Sequence, residues 1–161
     1  MCYNIKRDAA FLPGLPEGGK AMILGIGTDL CAVERIARAI EKPRFLDRVY
    51  APAEVARIRA AGELRRGEIA AGLFAAKEAV SKALGTGIAG FGPADIEITP
   101  DAAGCPRCAL HGGALDRARA LAGGDGFRLW VSITHEQGMA AATAVVERVE
   151  CGVMVCRARN Q

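Results

Sequence analysis

The sequence predicts an α+β domain: a small antiparallel sheet packed with helices. Helical apolar periodicity is concentrated in the first half, after one opening strand, while two-residue alternation dominates the second half. The runs do not alternate strand and helix as a parallel sheet requires, and no internal repeat is evident. At 161 residues the chain suits one domain with an adequate core.

The elements follow in order. Met22-Ile-Leu-Gly-Ile-Gly27 reads as a short buried strand, with Gly25 and Gly27 allowing close approach of another backbone or a ligand. Asp29 falls at its end, where aspartate caps a following helix, expected from Cys31 to Glu41. A second helix is expected over Ala53–Ala61, preceded by Pro52. A polar loop at Gly62–Gly67 leads to a long amphipathic helix that stops at Gly85. Asp95–Thr99 and Arg107–Leu110 form a hairpin around the turn Asp101-Ala-Ala-Gly104. Gly113–Leu121 is a short helix ending at Gly123-Gly124. Phe127–Thr134 and Met139–Val149 are a final antiparallel pair, joined through His135-Glu-Gln-Gly138.

The long helix puts charges where an ordinary helix would not. On a 3.6-residue wheel Ile69, Leu73, Val80 and Leu84 share one face, and Lys77 projects from the middle of it. A lysine among apolar neighbours needs an anion, because burying it unpaired is costly. Glu78 and Lys82 lie one turn apart on the flank, where a plain surface ion pair contributes only about 0.3–0.5 kcal/mol. A snorkelling Lys77 beside such a pair is the bland alternative. The other reading joins Glu78 to Asp29: carboxylates on a helix and at a strand end suit one hard cation. Magnesium takes one or two carboxylates and completes its shell with water and phosphate oxygens. Gly25-Ile-Gly27 is neither a dinucleotide fingerprint nor a P-loop, since it lacks the third glycine and the following lysine.

Gly25-Ile-Gly-Thr-Asp29 with Arg35-Ile36, Phe74-Ala-Ala-Lys-Glu-Ala79 with Lys82, Gly85-Thr-Gly87, Asp95-Ile-Glu-Ile98 and Val131-Ser-Ile-Thr-His135 occur in that order. Together they resemble the holo-acyl-carrier-protein synthases of the 4′-phosphopantetheinyl transferase family, over residues 22 to 149. The resemblance implies that family's α+β fold and a magnesium-dependent transferase. Its substrates would be coenzyme A and the serine of an apo acyl carrier protein in fatty acid biosynthesis. It implies that Asp29 and Glu78 hold Mg2+, that Lys82 contacts a coenzyme A phosphate, and that Ser81, Gly85 and His135 help line the cofactor site. It also implies a homotrimer with sites between neighbouring subunits. Two positions depart from the family pattern: Leu73 stands where many members carry arginine, and Gly104-Cys-Pro106 where many carry Gly-Lys-Pro.

Charge and cysteine content narrow the remaining classes. The net charge of +3 arises in the tails, where Lys6, Arg7, Lys20, Arg157 and Arg159 face only Asp8 and Glu17. Without those seven residues, acidic and basic side chains balance, and 5% aromatic content leaves few stacking platforms, so nucleic acid is not expected. Residues 34–66 nevertheless hold nine Arg/Lys against five Asp/Glu. Given the resemblance, Arg35 and Arg38, with Lys42, Arg44 and Arg48, read as a landing surface for an acidic carrier protein, not merely a solvated helix face. No uninterrupted apolar run approaches 18 residues, so no membrane span is expected. Six scattered cysteines do not form a disulfide framework and suit a reduced, cytoplasmic protein. Cys105, Cys108 and His111 are three zinc-type ligands without a fourth, inside the expected hairpin. Residues 1–21 read as a disordered or non-native extension, 22–150 as the single domain and 151–161 as a tail. Two other functions fit the same residues: a non-catalytic module binding coenzyme A, and a magnesium-dependent phosphohydrolase using Asp29 and Glu78.

Overall fold

The computed structural model describes residues 21–87 and 90–149; the expectations for the tails lie outside them, apart from Ala21, which opens the first strand. The helices come first: β1 (Ala21–Ala32), α1 (Val33–Ile40), α2 (Pro43–Val49), α3 (Pro52–Ala60) and α4 (Glu63–Ala83). A 3₁₀ turn at Pro93–Asp95 leads into β2 (Ile96–Pro100) and β3 (Pro106–Leu110). The chain then forms α5 (Gly112–Ala122), β4 (Phe127–Glu136) and β5 (Met139–Val149). All pairing is antiparallel: β1-β5-β4 make one sheet and β2-β3 a second. The expected α+β class is what the chain adopts.

The helix α4 organises the fold because it lies directly on the larger sheet. Ala70, Ala71, Ala75, Ala76, Ala79 and Ala83 are buried on the helix, as are Ala140, Ala142 and Ala144 on β5. Small residues on both sides let the backbones approach closely. A Cβ at Gly25 would lie 2.0 Å from the Ala83 carbonyl oxygen, and one at Gly27 equally close to that of Ala79. Either glycine replaced by any other residue would push β1 off α4. The expected close approach of another backbone to Gly25 and Gly27 is therefore made by this helix.

Several boundaries differ from the sequence expectation. The Gly62–Gly67 stretch is not a loop: Gly62 is the N-cap of α4, and the missing side chain of Gly67 admits Ala37 of α1, whose Cβ would be 3.0 Å from a Cβ there. The helix is also buried almost all round from Ala70 to Leu84: the expected stripe of Leu73, Val80 and Leu84 lies in the core with Ile69 packed against it, and the alanines are buried as well. α2 was hidden in the expected turn after α1; Pro43 at its first turn starts it, and Leu46 and Val49 anchor it. Asp29 does not cap α1, because β1 continues to Ala32, which takes the N-cap position without a side-chain bond. β1 is longer than expected and only one of its faces is covered; Ile23, Ile26 and Leu30 on the other are each at least 60% exposed. Finally, His135 belongs to β4, since the β4–β5 turn is just Gln137-Gly138, both at positive φ.

Candidate active site

Two charged clusters flank α4, carried by consecutive residues. Lys77 is buried; its ammonium lies 2.7 Å from Glu54 of α3 and donates to the carbonyls of Pro93, at 3.0 Å, and Ile96. Glu54 is buried too, and its two oxygens also accept from the backbone of Ala51 at 2.7 Å and Ile98 at 2.8 Å. Three ammonium protons thus meet three acceptors, and the carboxylate is bonded at both oxygens. Burial lowers the Lys77 pKa while the Glu54 charge opposes that. The anion that Lys77 requires is Glu54, and the pair ties α3, α4 and β2 together. Lys77 neither snorkels nor faces the metal-type carboxylates.

Glu78, the next residue, points to the other cluster. Asp29 stands on the α4-facing side of β1, in register with buried Ala142 of β5. Lys82, one turn beyond Glu78, reaches across to donate to Asp29 Oδ1 and to the Thr28 carbonyl, both at 2.8 Å. The bond that sequence spacing suggested, Glu78 to Lys82, is replaced by Lys82 to Asp29. Partial burial raises the Glu78 carboxyl pKa and the Asp29 charge raises it further; Lys82 and Arg35 pull it down. Two carboxylates close enough to repel each other, with one half-exposed lysine bonded from helix to strand, gather charge along this edge of α4. Two carboxylates are the donor type that a hard divalent cation takes. Asp29, Glu78 and Lys82, separated by up to 53 residues, are therefore brought together.

The other expected site residues divide. Gly85 follows α4 at φ +79, the left-handed turn that stops the helix beside Lys82. Ser81 is fully buried and its hydroxyl donates to the Lys77 carbonyl at 2.8 Å, so within one chain it offers no exposed face to a ligand. His135 is on the α4-facing side of the sheet, like Asp29, but on the opposite flank of the helix. It lines a cavity of about 270 Å³ with Arg57, Arg65, Glu68, Leu73 and Ile133. A single chain thus does not join His135 to Asp29, Glu78 and Lys82. Leu73 leaves that cavity without an arginine at its own position, while Arg57 and Arg65 bring positive charge to it. Neither arginine was singled out from sequence: Arg65 fell in the stretch expected as a loop, and nothing in its spacing ties Arg57 on α3 to α4.

Arg35 packs its guanidinium over Phe74, 5.6 Å from the ring centroid, within electrostatic reach of Glu78. Arg38 is exposed and pairs with Glu34 one turn back. Lys42, Arg44 and Arg48 surround a hollow floored by Phe45, Val49 and Pro93, and none forms an ion pair among the described residues. Phe45 stacks on Phe74 at 6.4 Å, so this basic surface is continuous with Arg35 and hence with the edge of the carboxylate cleft. In the hairpin, His111 pairs with Glu97 at 3.0 Å, and burial pushes the Cys108 thiol up to about 12.

Comparison with known proteins converges on one family. Residues 25–140 match the family model of the 4′-phosphopantetheinyl transferase superfamily. A holo-[acyl-carrier-protein] synthase of Solidesulfovibrio magneticus is 47% identical over 130 residues, covering 78% of this chain and 99% of that relative. The structure is similar to a holo-ACP-synthase of Plasmodium yoelii, with TM-score 0.69, 32% identity and coverage of 80% of this chain and 98% of the other. It is also similar to a holo-(acyl-carrier-protein) synthase of Bacillus anthracis in complex with CoA (3′,5′-ADP), with TM-score 0.66, 32% identity and coverage of 79% and 98%.

Proposed function

The chain belongs to the 4′-phosphopantetheinyl transferase superfamily, and from that premise we propose that the Asp29–Glu78–Lys82 cleft is its catalytic centre. The enzyme transfers the 4′-phosphopantetheine group of coenzyme A to a serine hydroxyl of apo acyl carrier protein, giving the holo carrier and adenosine 3′,5′-bisphosphate. We assign the carrier to fatty acid biosynthesis and the enzyme to the cytoplasm. Among the described residues no helix is long and apolar enough to cross a membrane. The observation that carries the site assignment is the convergence of Asp29, Glu78 and Lys82 from a strand and a helix onto one cleft.

The reaction breaks the bond between the phosphorus bearing pantetheine and the bridging diphosphate oxygen while the serine oxygen bonds to that phosphorus. Catalysis rests on positioning and on stabilising phosphoryl charge. Asp29 and Glu78 would hold magnesium, which when bound supplies positive charge at the diphosphate. Lys82, half exposed and bonded to Asp29, is placed to exchange part of that bond for a phosphate oxygen. Gly85, at φ +79, turns the backbone after α4 away from the helix axis, which sets where the residues following Lys82 stand relative to the diphosphate. Ser81, one residue before Lys82, is bonded within α4 to the Lys77 carbonyl.

Two features favour a homotrimer with shared sites. The outer face of β1 presents Ile23, Ile26 and Leu30 to solvent, an apolar strip suited to burial against a second copy. The cavity holding His135, Arg57 and Arg65 lies across α4 from the carboxylate cleft, so a site using both draws them from different subunits. In that arrangement His135 contacts a coenzyme A phosphate. The carrier protein docks on Arg35 and Arg38 and, with more freely available charge, on Lys42, Arg44 and Arg48.

The test is mass spectrometry of apo carrier protein incubated with the enzyme, coenzyme A and magnesium. A mass gain equal to phosphopantetheine is expected. Coenzyme A binding without modification would instead indicate a non-catalytic module, and coenzyme A breakdown without carrier a phosphohydrolase.

A further inference from the structure

The Gly85 turn is held from outside α4 by Arg117. This side chain comes from α5, whose buried alanines Ala114, Ala118 and Ala122 fix it elsewhere in the core. Its Nε donates to the Leu84 carbonyl at 2.9 Å, and its Nη2 would lie 3.4 Å from a Cβ on Gly85. The Leu84 carbonyl belongs to the end of a 21-residue helix, where carbonyls lack helical partners and the helix dipole favours a cation. Gly85 is required by its left-handed φ of +79, and the guanidinium of Arg117 lies in contact with the turn it makes. Arg117 forms no ion pair among the described residues, so no carboxylate competes for it.

Building on the site assignment above, we propose that Arg117 is a positioning residue for coenzyme A, clamping the Gly85–Gly87 turn that follows Lys82. It acts through the turn: the Leu84 bond fixes where the helix ends, and so where the backbone after Lys82 stands relative to the diphosphate. The carrier-docking surface on α1 and α2 is not reached by this clamp.

The experiment compares R117M, R117K and wild type by isothermal titration with coenzyme A, by steady-state KM for coenzyme A and for carrier protein, and by urea unfolding. R117M should weaken coenzyme A binding about tenfold, an effect of roughly 1.4 kcal/mol, with the carrier KM within about twofold of wild type. R117K, which keeps one donor and the charge, should recover part of the loss. G85A strains the same turn through its left-handed φ and sets a methyl group against the Arg117 guanidinium, and it should also lower coenzyme A affinity. Unchanged coenzyme A affinity in a folded R117M, or equal losses for both substrates, overturns the assignment. Should R117M fail to fold, R117K decides by the same criteria. A wild-type protein that does not bind coenzyme A overturns the site reading itself, which is distinguishable because it precedes any variant.

Discussion

Lys77 and Glu78 are neighbours in sequence and opposites in physical state. The Lys77–Glu54 side is closed: buried, charge-paired and hydrogen-bonded at every available group. The Glu78–Asp29 side is open: two carboxylates interact unfavourably at a partly exposed edge, and the nearby Lys82 is bonded to only one of them. Closed networks hold a fold in register, whereas unresolved like-charge proximity is what a cation and a diphosphate can relieve. The difference separates scaffold from site within one helical turn.

The sharpest way to break this comparison is to open the closed side. E54L leaves Lys77 uncompensated and frees the Ala51 and Ile98 amides. It should cost about 3–5 kcal/mol, a large fraction of a typical 5–15 kcal/mol stability, seen as a lower urea midpoint. A loss below about 1 kcal/mol would show that the buried pair does not hold the three elements together.

Neutralising the open side should do the reverse. E78Q removes a cation ligand and should lower kcat/KM by at least about a hundredfold, since metal-type charge stabilisation contributes several kcal/mol. It should also raise thermal stability at pH 7. The folded-state pKa of Glu78 lies above the ordinary value of 4.5, so the native state favours the protonated form. Its stabilising contribution is complete below the ordinary pKa and is lost as pH rises through the raised one. The Tm advantage of E78Q should accordingly shrink as pH falls through the raised pKa and be gone below about 4.5. An E78Q protein less stable than wild type at neutral pH would contradict the electrostatic reading of the cleft.

A smaller effect should sharpen the boundary of the open side. Paired charge reversal at Arg44 and Arg48 should raise the carrier KM about tenfold at low salt, fading at higher ionic strength, with the coenzyme A KM unchanged. Reversal at Arg38 should do less, because its charge is already shared with Glu34. Equal changes for both substrates would remove the docking surface from α2.

Much of this was legible in the chain. The strand-borne aspartate and the helix-borne glutamate and lysine carry their chemistry in residue type and spacing, although Asp29 lies inside β1 and not at its end, and the final hairpin carries alternation. Glu54 was not legible as the partner of Lys77, because no periodicity links residues 23 positions apart on separate helices. α2, at seven residues, is too short for a helical repeat to declare itself. β1 read as buried because its opening run is almost wholly apolar; the folded chain covers only one of its faces and leaves Ile23, Ile26 and Leu30 exposed on the other. The two flanks of α4 could not be told apart from sequence, because a strand's alternation assigns a face of the sheet but not a side of the helix crossing it. His135 and Asp29 share a face and are nevertheless apart.

The most direct measurement is divalent-cation binding in the presence of coenzyme A, using Mn2+ as a spectroscopically visible probe, in wild type, D29N and E78Q. Wild type should bind one ion per site, and each variant should lose at least about tenfold in affinity while remaining folded. Wild-type affinity retained in both variants would contradict a cation shared by Asp29 and Glu78.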